Sequence, residues 1–115
     1  MPKYLLHLEG LVIASAGLWA YHLIGASWVL FAWLILVPDL SMLGYFIGPR
    51  WGARLYNAGH TYLSPAVAWL ALHLTAPAYA LPIALIWAVH IGVDRLLGFG
   101  LKYETGFRDT HIGRV

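Results

Sequence analysis

The sequence predicts an all-α integral membrane protein, a bundle of four transmembrane helices arranged as two helical hairpins. Of the 115 residues, 61% are hydrophobic and only 10% are charged, a composition typical of membrane proteins. Asp, Glu, Lys and Arg are absent from two long runs, residues 10–38 and 55–93. Because about 20 apolar residues cross the hydrocarbon core of a bilayer, each run is long enough to cross and return.

Gly and Pro mark where the predicted helices stop. We expect helices over about residues 4–24, 27–46, 54–75 and 81–98, which form one transmembrane domain over residues 1–99, and a cytoplasmic tail over residues 100–115. Gly25, the Gly48-Pro49 pair and the Ala76-Pro77 pair lie in the predicted turns. Pro38 removes a backbone donor from the second helix and predicts a kink there.

The basic residues predict the orientation. They lie at the N-terminus, in the middle loop, at the end of the fourth helix and in the tail: Lys3, Arg50, Arg54, Arg95, Lys102, Arg108 and Arg114. Cytoplasmic segments retain Lys and Arg, so both termini are predicted to be cytoplasmic, in a multi-pass protein of the bacterial inner membrane. The dispersed charge suits a lipid bilayer as partner and argues against nucleic acid. The absence of cysteine excludes thiol–disulfide enzymes and a catalytic Cys.

Ionisable and amide side chains fall near the cytoplasmic end of every predicted helix. They are His7 and Glu9 in the first helix, Asp39 in the second, Asn57 and His60 in the third, and His90 and Asp94 in the fourth. Such groups are costly inside a membrane and usually face the interior of the bundle. The spacing of four between His90 and Asp94 places both on one helix face. The pattern predicts a shared polar centre.

This centre has the composition of a divalent metal site. Imidazole and carboxylate ligands suit Zn, Mn and Fe, and the predicted ligands are His7, Asp39, His60, His90 and Asp94. Glu9 and His111 are the predicted general acid–base residues, and Asn57, Arg54, Arg95 and Lys102 are predicted to support the site or contact substrate. A metal there could activate water or polarise a phosphoryl or carbonyl oxygen, which predicts a hydrolase of a lipid-phase or headgroup substrate.

Other interpretations of the polar residues stay open. Buried carboxylates and histidines could relay protons in a small-molecule carrier, which would have to dimerise at this length. They could instead form a hydrogen-bonded polar core in a structural membrane protein. Haem held between two histidines is a further alternative. Small residues such as Gly10, Ala14 and Gly17 allow close helix approach within a monomer or a homo-oligomer.

Four motifs carry a resemblance: PDLSMLGY at 38–45, NAGHTY at 57–62, HIGVDRLLGFG at 90–100 and DTHIG at 109–113. They resemble a bacterial family of small four-span membrane proteins of unknown function, which implies a membrane location and no assigned activity. More distantly, the order of His7, Pro38-Asp39, His60-Thr61 and His90/Asp94 is similar to predicted membrane-bound metal-dependent hydrolases. The chain departs from that pattern at Ser41, where a second acid is usual, and in having His60 before Thr61.

Overall fold

A computed structural model of the protein describes residues 2–101 and 110–112. Regular structure within these residues is helical, with no β-strand, which confirms the predicted all-α class. The order is α1 (Pro2–Leu23), α2 (Trp28–Leu34), a 3₁₀ helix (Val37–Phe46), α3 (Pro49–His60), α4 (Leu63–Thr75) and α5 (Pro77–Leu97).

Helix α5 is the centre of the packing. It contacts α1, α4 and α2, while α3 packs on the 3₁₀ helix. Ile86, Val89 and Ile91 of α5 are all nearly inaccessible to solvent. Glycines let α1 lie directly on α5, since a Cβ added at Gly92 would come within 2.8 Å of the backbone nitrogen of Ala14. The core is therefore a close α1–α5 contact with α4 beside it.

The predicted third helix, residues 54–75, is two helices in the structure. Helix α3 starts earlier, with Pro49 at its first position, where a missing N–H costs nothing. It ends at His60 because Thr61 is extended, with φ −95° and ψ 142°. The cause of the break is Pro65, which in a continuous helix would leave the Thr61 carbonyl without its donor and clash with it. In α4, Pro65 falls in the first turn instead, where it is tolerated.

The predicted second helix, residues 27–46, is an α-helix followed by a 3₁₀ helix. Ser27 caps α2, its hydroxyl accepting from the Leu30 N–H at 3.3 Å. Beyond Leu34 the chain passes through turn residues 35–36 into a 3₁₀ helix with Pro38 near its start, so the α-helix ends before the proline at which the kink is predicted. The last helix begins at Pro77 rather than near residue 81, and Pro82 lies inside it.

Two segments in the described part of the chain are long and apolar enough to cross a membrane. They are Trp28–Phe46, which joins α2 to the 3₁₀ helix, and Pro77–Leu97. Leu63–Thr75 is a shorter apolar helix. Large apolar side chains are exposed along the molecule, among them Trp33 at 79% and Phe46 at 89%. The described surface thus exposes more large apolar side chains than soluble monomeric proteins usually do.

Candidate metal centre

Two histidines and two aspartates converge at the inner face of the bundle. The ligand-type atoms of Asp39, His60, His90 and Asp94 all lie within 4.8 Å of one another. His60 Nε2 lies 3.0 Å from Asp39 Oδ1, 3.3 Å from Asp94 Oδ2 and 3.1 Å from His90 Nε2. His90 Nε2 lies 3.1 Å from Asp39 Oδ1 and 3.2 Å from Asp94 Oδ2. Four of the five predicted ligands therefore meet.

Three elements supply these side chains. Asp39 comes from the 3₁₀ helix directly after Pro38, and His60 is the last residue of α3. His90 and Asp94 lie one turn apart on the buried face of α5. The packing of α3 on the 3₁₀ helix brings Asp39 to His60, and the Trp87 indole of α5 donates to the Gly59 carbonyl at 2.5 Å. That bond joins α3 to α5 next to His60.

Both imidazoles are fixed through Nδ1. His60 Nδ1 lies 2.9 Å from the Tyr56 carbonyl oxygen, and His90 Nδ1 lies 2.5 Å from the Ile35 carbonyl oxygen. Because a carbonyl oxygen only accepts, Nδ1 carries the proton in each ring. In the neutral imidazole, Nε2 then keeps its lone pair. The Nδ1–H to carbonyl bond is the partner that metal-ligating histidines usually have.

The cluster consequently presents two imidazole lone pairs and two carboxylates to one point. Four ligands arranged tetrahedrally at the usual zinc–nitrogen distance of about 2.0–2.1 Å would be about 3.3 Å apart. Five of the six separations, 3.0–3.3 Å, fit that spacing, and the sixth, between the two aspartates, is within 4.8 Å. These atoms repel one another unless a cation lies among them, either a metal ion or protons on the two imidazoles. The residues fit a small divalent metal.

Burial of the cluster is uneven. The side chains of His60 and His90 are 2% and 5% exposed, whereas those of Asp94 and Asp39 are 17% and 39% exposed. The ring of Tyr56 stacks on His60 with centroids 3.8 Å apart and planes 6° from parallel. The buried side is therefore closed by an aromatic ring, and the cluster is open towards Asp39.

His7, the fifth predicted ligand, lies outside the cluster. Its Nδ1 is 2.8 Å from the Leu96 carbonyl oxygen, and its ring lies against Gly98. Leu96 follows Asp94 by two residues, so His7 faces α5 but past the level of the ligands. Glu9, a predicted acid–base residue, is an exposed residue of α1 and lines an apolar groove of about 350 Å³ with Tyr62. Neither residue belongs to the four-ligand group.

Arg95 and His111 lie behind the cluster. Arg95 is buried, and its Nη2 donates to the His60 carbonyl at 3.0 Å while its Nη1 lies 3.1 Å from His111 Nε2. The Leu101 N–H donates to His111 Nδ1 at 2.7 Å. Burial and the adjacent Arg95 charge lower the pKa of the His111 imidazole. A neutral imidazole has one acceptor nitrogen, so the ring accepts from only one of these two donors, and neither ring nitrogen is free for the predicted acid–base role.

The remaining predicted residues are placed as follows. Arg54 is exposed, with its guanidinium 5.5 Å from the centre of the Trp51 ring. Asn57 is half-buried on α3. Lys102 lies outside the described residues, as do Arg108 and Asp109. Among the predicted supporting residues, Arg95 bonds to a residue of the cluster, through the His60 carbonyl.

Sequence reasoning missed three residues that position the histidines, two of them direct partners. Tyr56 supplies both a stacked ring and an acceptor carbonyl to His60, Ile35 supplies the carbonyl for His90, and Trp87 fixes the end of α3. Tyr56 carries a signal, because it stands four residues before His60 on one helix face. A backbone carbonyl such as that of Ile35 carries none, since its role depends only on position in space.

One family model matches residues 3–115, and its description is Domain of unknown function (DUF4260). No curated protein and no solved structure matches the chain. The match covers nearly all of the sequence, so the chain belongs to this family of unknown function.

Proposed function

We propose that this member of the DUF4260 family is an integral membrane protein in which Asp39, His60, His90 and Asp94 bind Zn, Mn or Fe and support hydrolysis of a lipid-phase or headgroup substrate. One observation carries the proposal: two Nδ1-protonated imidazoles and two carboxylates converge at 3.0–3.3 Å. The family description assigns no activity, so the chemistry is argued from the residues.

The membrane part of the proposal rests on composition and exposure. Two segments are long and apolar enough to cross, and we assign the remaining two crossings to α1 and to α4. Exposed apolar side chains line α1, including Leu5, Val12, Trp19 and Leu23. The charge-free runs and the positions of the basic residues support a topology with both termini on the cytoplasmic side of a bacterial inner membrane.

The third crossing is the shortest. Helix α4 has 13 residues, which span about 20 Å at 1.5 Å per residue, against about 30 Å of hydrocarbon. The crossing must therefore take in the extended residue Thr61 and the last turn of α3. That turn carries His60, which puts the cluster at the cytoplasmic end of the third crossing, where the sequence predicts the polar centre.

A divalent metal supplies a Lewis acid and lowers the pKa of water in its coordination sphere. The chain's own contribution is orientation and proton transfer. The Tyr56 and Ile35 carbonyls hold the two imidazoles in one tautomer. Asp39, the most exposed of the four, is the carboxylate that an incoming water reaches first, so we assign it the role of proton acceptor that was predicted for Glu9 or His111.

A second candidate is a structural metal site. Structural zinc sites have four protein ligands, whereas catalytic sites keep one position open, and the cluster here offers four. The exposure of Asp39 favours the catalytic alternative, since this ligand can give way to water. The hydrogen-bonded core and the proton-linked carrier differ from both, because they require protonated imidazoles and no metal.

Metal content of the detergent-purified protein tests the centre. We expect about one equivalent of Zn, Mn or Fe in the wild type and in His73→Ala, an exposed histidine stacked on Trp69 at the other end of α4, and loss of that metal in Asp94→Ala. Wild-type protein without metal after preparation free of chelators would leave the hydrogen-bonded core or the proton carrier. A Soret band would redirect the site to haem.

Hydrolysis is tested next on the metal-loaded protein. Phosphoester and carboxylic ester lipids are offered in mixed micelles to the wild type and to Asp39→Asn. Turnover that is lost in Asp39→Asn while metal is retained supports the hydrolase. Full metal occupancy with no turnover on either ester class would favour the structural metal site.

A further inference from the structure

The Arg95 side chain joins the candidate metal centre to the C-terminal segment. Its guanidinium donates to the His60 carbonyl at 3.0 Å and lies 3.1 Å from His111 Nε2. The same group lies over the Tyr62 ring, 5.6 Å from its centre. Arg95 directly follows the candidate ligand Asp94. Its buried side chain contacts His60 and Tyr62, the residues on either side of the break between α3 and α4.

The His60 carbonyl is a natural acceptor for this arginine. Helix α3 ends at His60, and the last carbonyls of a helix have no partner inside it. Arg95 satisfies that oxygen with a charged donor, which makes a stronger hydrogen bond than a neutral one. Because the carbonyl and the imidazole belong to the same residue, the position of Arg95 restricts where the His60 ring can lie.

Residues 110–112 are packed against the core at the other end of the guanidinium. The His111 backbone N–H donates to the Leu101 carbonyl at 2.8 Å, and the Leu101 nitrogen lies 2.7 Å from His111 Nδ1. Ile112 is 1% exposed and Thr110 is 8% exposed. This segment is therefore a buried part of the fold, tied by Arg95 to a residue of the metal centre.

We propose that Arg95 is a positioning residue that couples metal binding by the four-ligand cluster to docking of residues 110–112. The coupling rests on the proposed metal centre. A metal fixes the His60 ring, which fixes its carbonyl and so favours the Arg95 orientation that also holds His111. By linkage, docking of the segment strengthens metal binding by the same factor as metal strengthens docking. The C-terminal segment thus acts as a latch that closes when the centre is loaded.

Metal affinity in matched variants tests one direction of the coupling. Zinc dissociation constants are measured by competition with a chelating dye for wild type, Arg95→Lys, Ile112→Ala and the control His73→Ala. Lysine keeps the charge but lacks the planar guanidinium that contacts both the His60 carbonyl and the His111 ring. Ile112→Ala loosens the docked segment and changes neither Arg95 nor a ligand. We expect zinc to bind about tenfold more weakly to Arg95→Lys and to Ile112→Ala, the lower end of the loss usual for residues that support metal ligands. We expect no change in the dissociation constant of the His73→Ala control.

Hydrogen exchange of the peptide that contains residues 110–112 tests the other direction. We expect saturating zinc to slow its exchange about tenfold in the wild type and to have no effect on it in Arg95→Lys. Should Ile112→Ala fail to fold by circular dichroism, the wild-type exchange and Arg95→Lys still decide. Zinc binding with unchanged affinity in Arg95→Lys and zinc-independent exchange would overturn the coupling alone. Wild type that binds no metal would overturn both proposals.

Discussion

At the scale of single residues, the tautomer of two histidines determines what the polar centre can do. Each Nδ1 is occupied by a backbone carbonyl, so each Nε2 is directed at the other ligands. Ser41 is close to the centre without belonging to it. Its hydroxyl donates to the Pro38 carbonyl at 2.7 Å and lies 3.5 Å from His60 Nδ1, which already has an acceptor in Tyr56.

This difference gives a paired prediction on metal affinity. His60→Gln removes a ligand, and we expect binding to weaken more than about a hundredfold, beyond the usual range for partners of ligands. Ser41→Ala removes only a bond to the Pro38 carbonyl, and we expect an unchanged dissociation constant. Chelator competition on the two variants measures both. A large loss in Ser41→Ala would show that the hydroxyl holds His60 after all.

His111 gives a pH prediction. Its pKa is lowered by burial and by Arg95, so the folded state favours the neutral ring, and the unfolded state binds the proton more readily. The stabilisation from His111 is present above the unfolded pKa of about 6.5 and is lost as pH falls below it. We expect the difference in melting temperature between wild type and His111→Gln to shrink from pH 7.5 to pH 5. A difference that grows over this interval would contradict the lowered pKa.

At the scale of helices, the close contact between α1 and α5 depends on glycine, because any side chain at Gly92 would collide with the backbone of α1. A Cβ at Gly92 would lie 2.8 Å from the Ala14 nitrogen and 2.9 Å from the Gly10 carbonyl oxygen. Both are backbone atoms, which cannot rotate away. The same contact orients the buried face of α5, on which His90 and Asp94 lie.

Gly92→Ala should therefore destabilise the fold although alanine favours helices by about 1 kcal/mol. We expect a net loss of about 1–3 kcal/mol, as for other overpacked cores, measured as the free energy of unfolding in mixed micelles. Ala16→Ser is the control, because it adds one atom at an exposed position of α1. Equal stability of Gly92→Ala and wild type would mean that α1 can move off α5 at little cost.

The helical class is predicted from the sequence, and four of the five predicted ligand side chains meet in the structure. The reasons differ by element. Asp39, His60, His90 and Asp94 stand out because ionisable groups are rare in apolar runs. His7 is also an ionisable residue in an apolar helix, but the sequence gives its position along the helix bundle only roughly. In the structure, the packing of α1 on α5 brings its ring to the Leu96 carbonyl instead of the cluster. The helix break at Thr61 was not predicted, because the proline that causes it lies four residues later. In a continuous helix, Pro65 has no N–H to donate to the Thr61 carbonyl.

At the scale of the whole molecule, segregated charge and exposed apolar side chains support the lipid-facing surface proposed above. Residues 10–38 and 55–93 carry no formal charge, and the predicted outward loops lie inside these runs. The chain contains no cysteine, so single cysteines can be introduced without background labelling.

Single-cysteine labelling tests the four-crossing topology. We expect Ala26→Cys, between α1 and α2, and Ala78→Cys, in the first turn of α5, to react with a membrane-impermeant maleimide added to intact cells. The middle connection is tested at the start of α3 with Arg50→Cys, which should react only after the inner membrane is opened. Labelling of all three positions from the same side would exclude two hairpins.

The order of the ligands along the chain has a consequence for biosynthesis. Asp39 and His60 leave the ribosome before α5, whereas His90 and Asp94 are part of α5 itself. A nascent chain that lacks α5 holds half of the cluster and also lacks the helix on which α1 packs. Insertion of the final helix therefore completes the packing and the ligand set in one event, and a prematurely terminated product has neither.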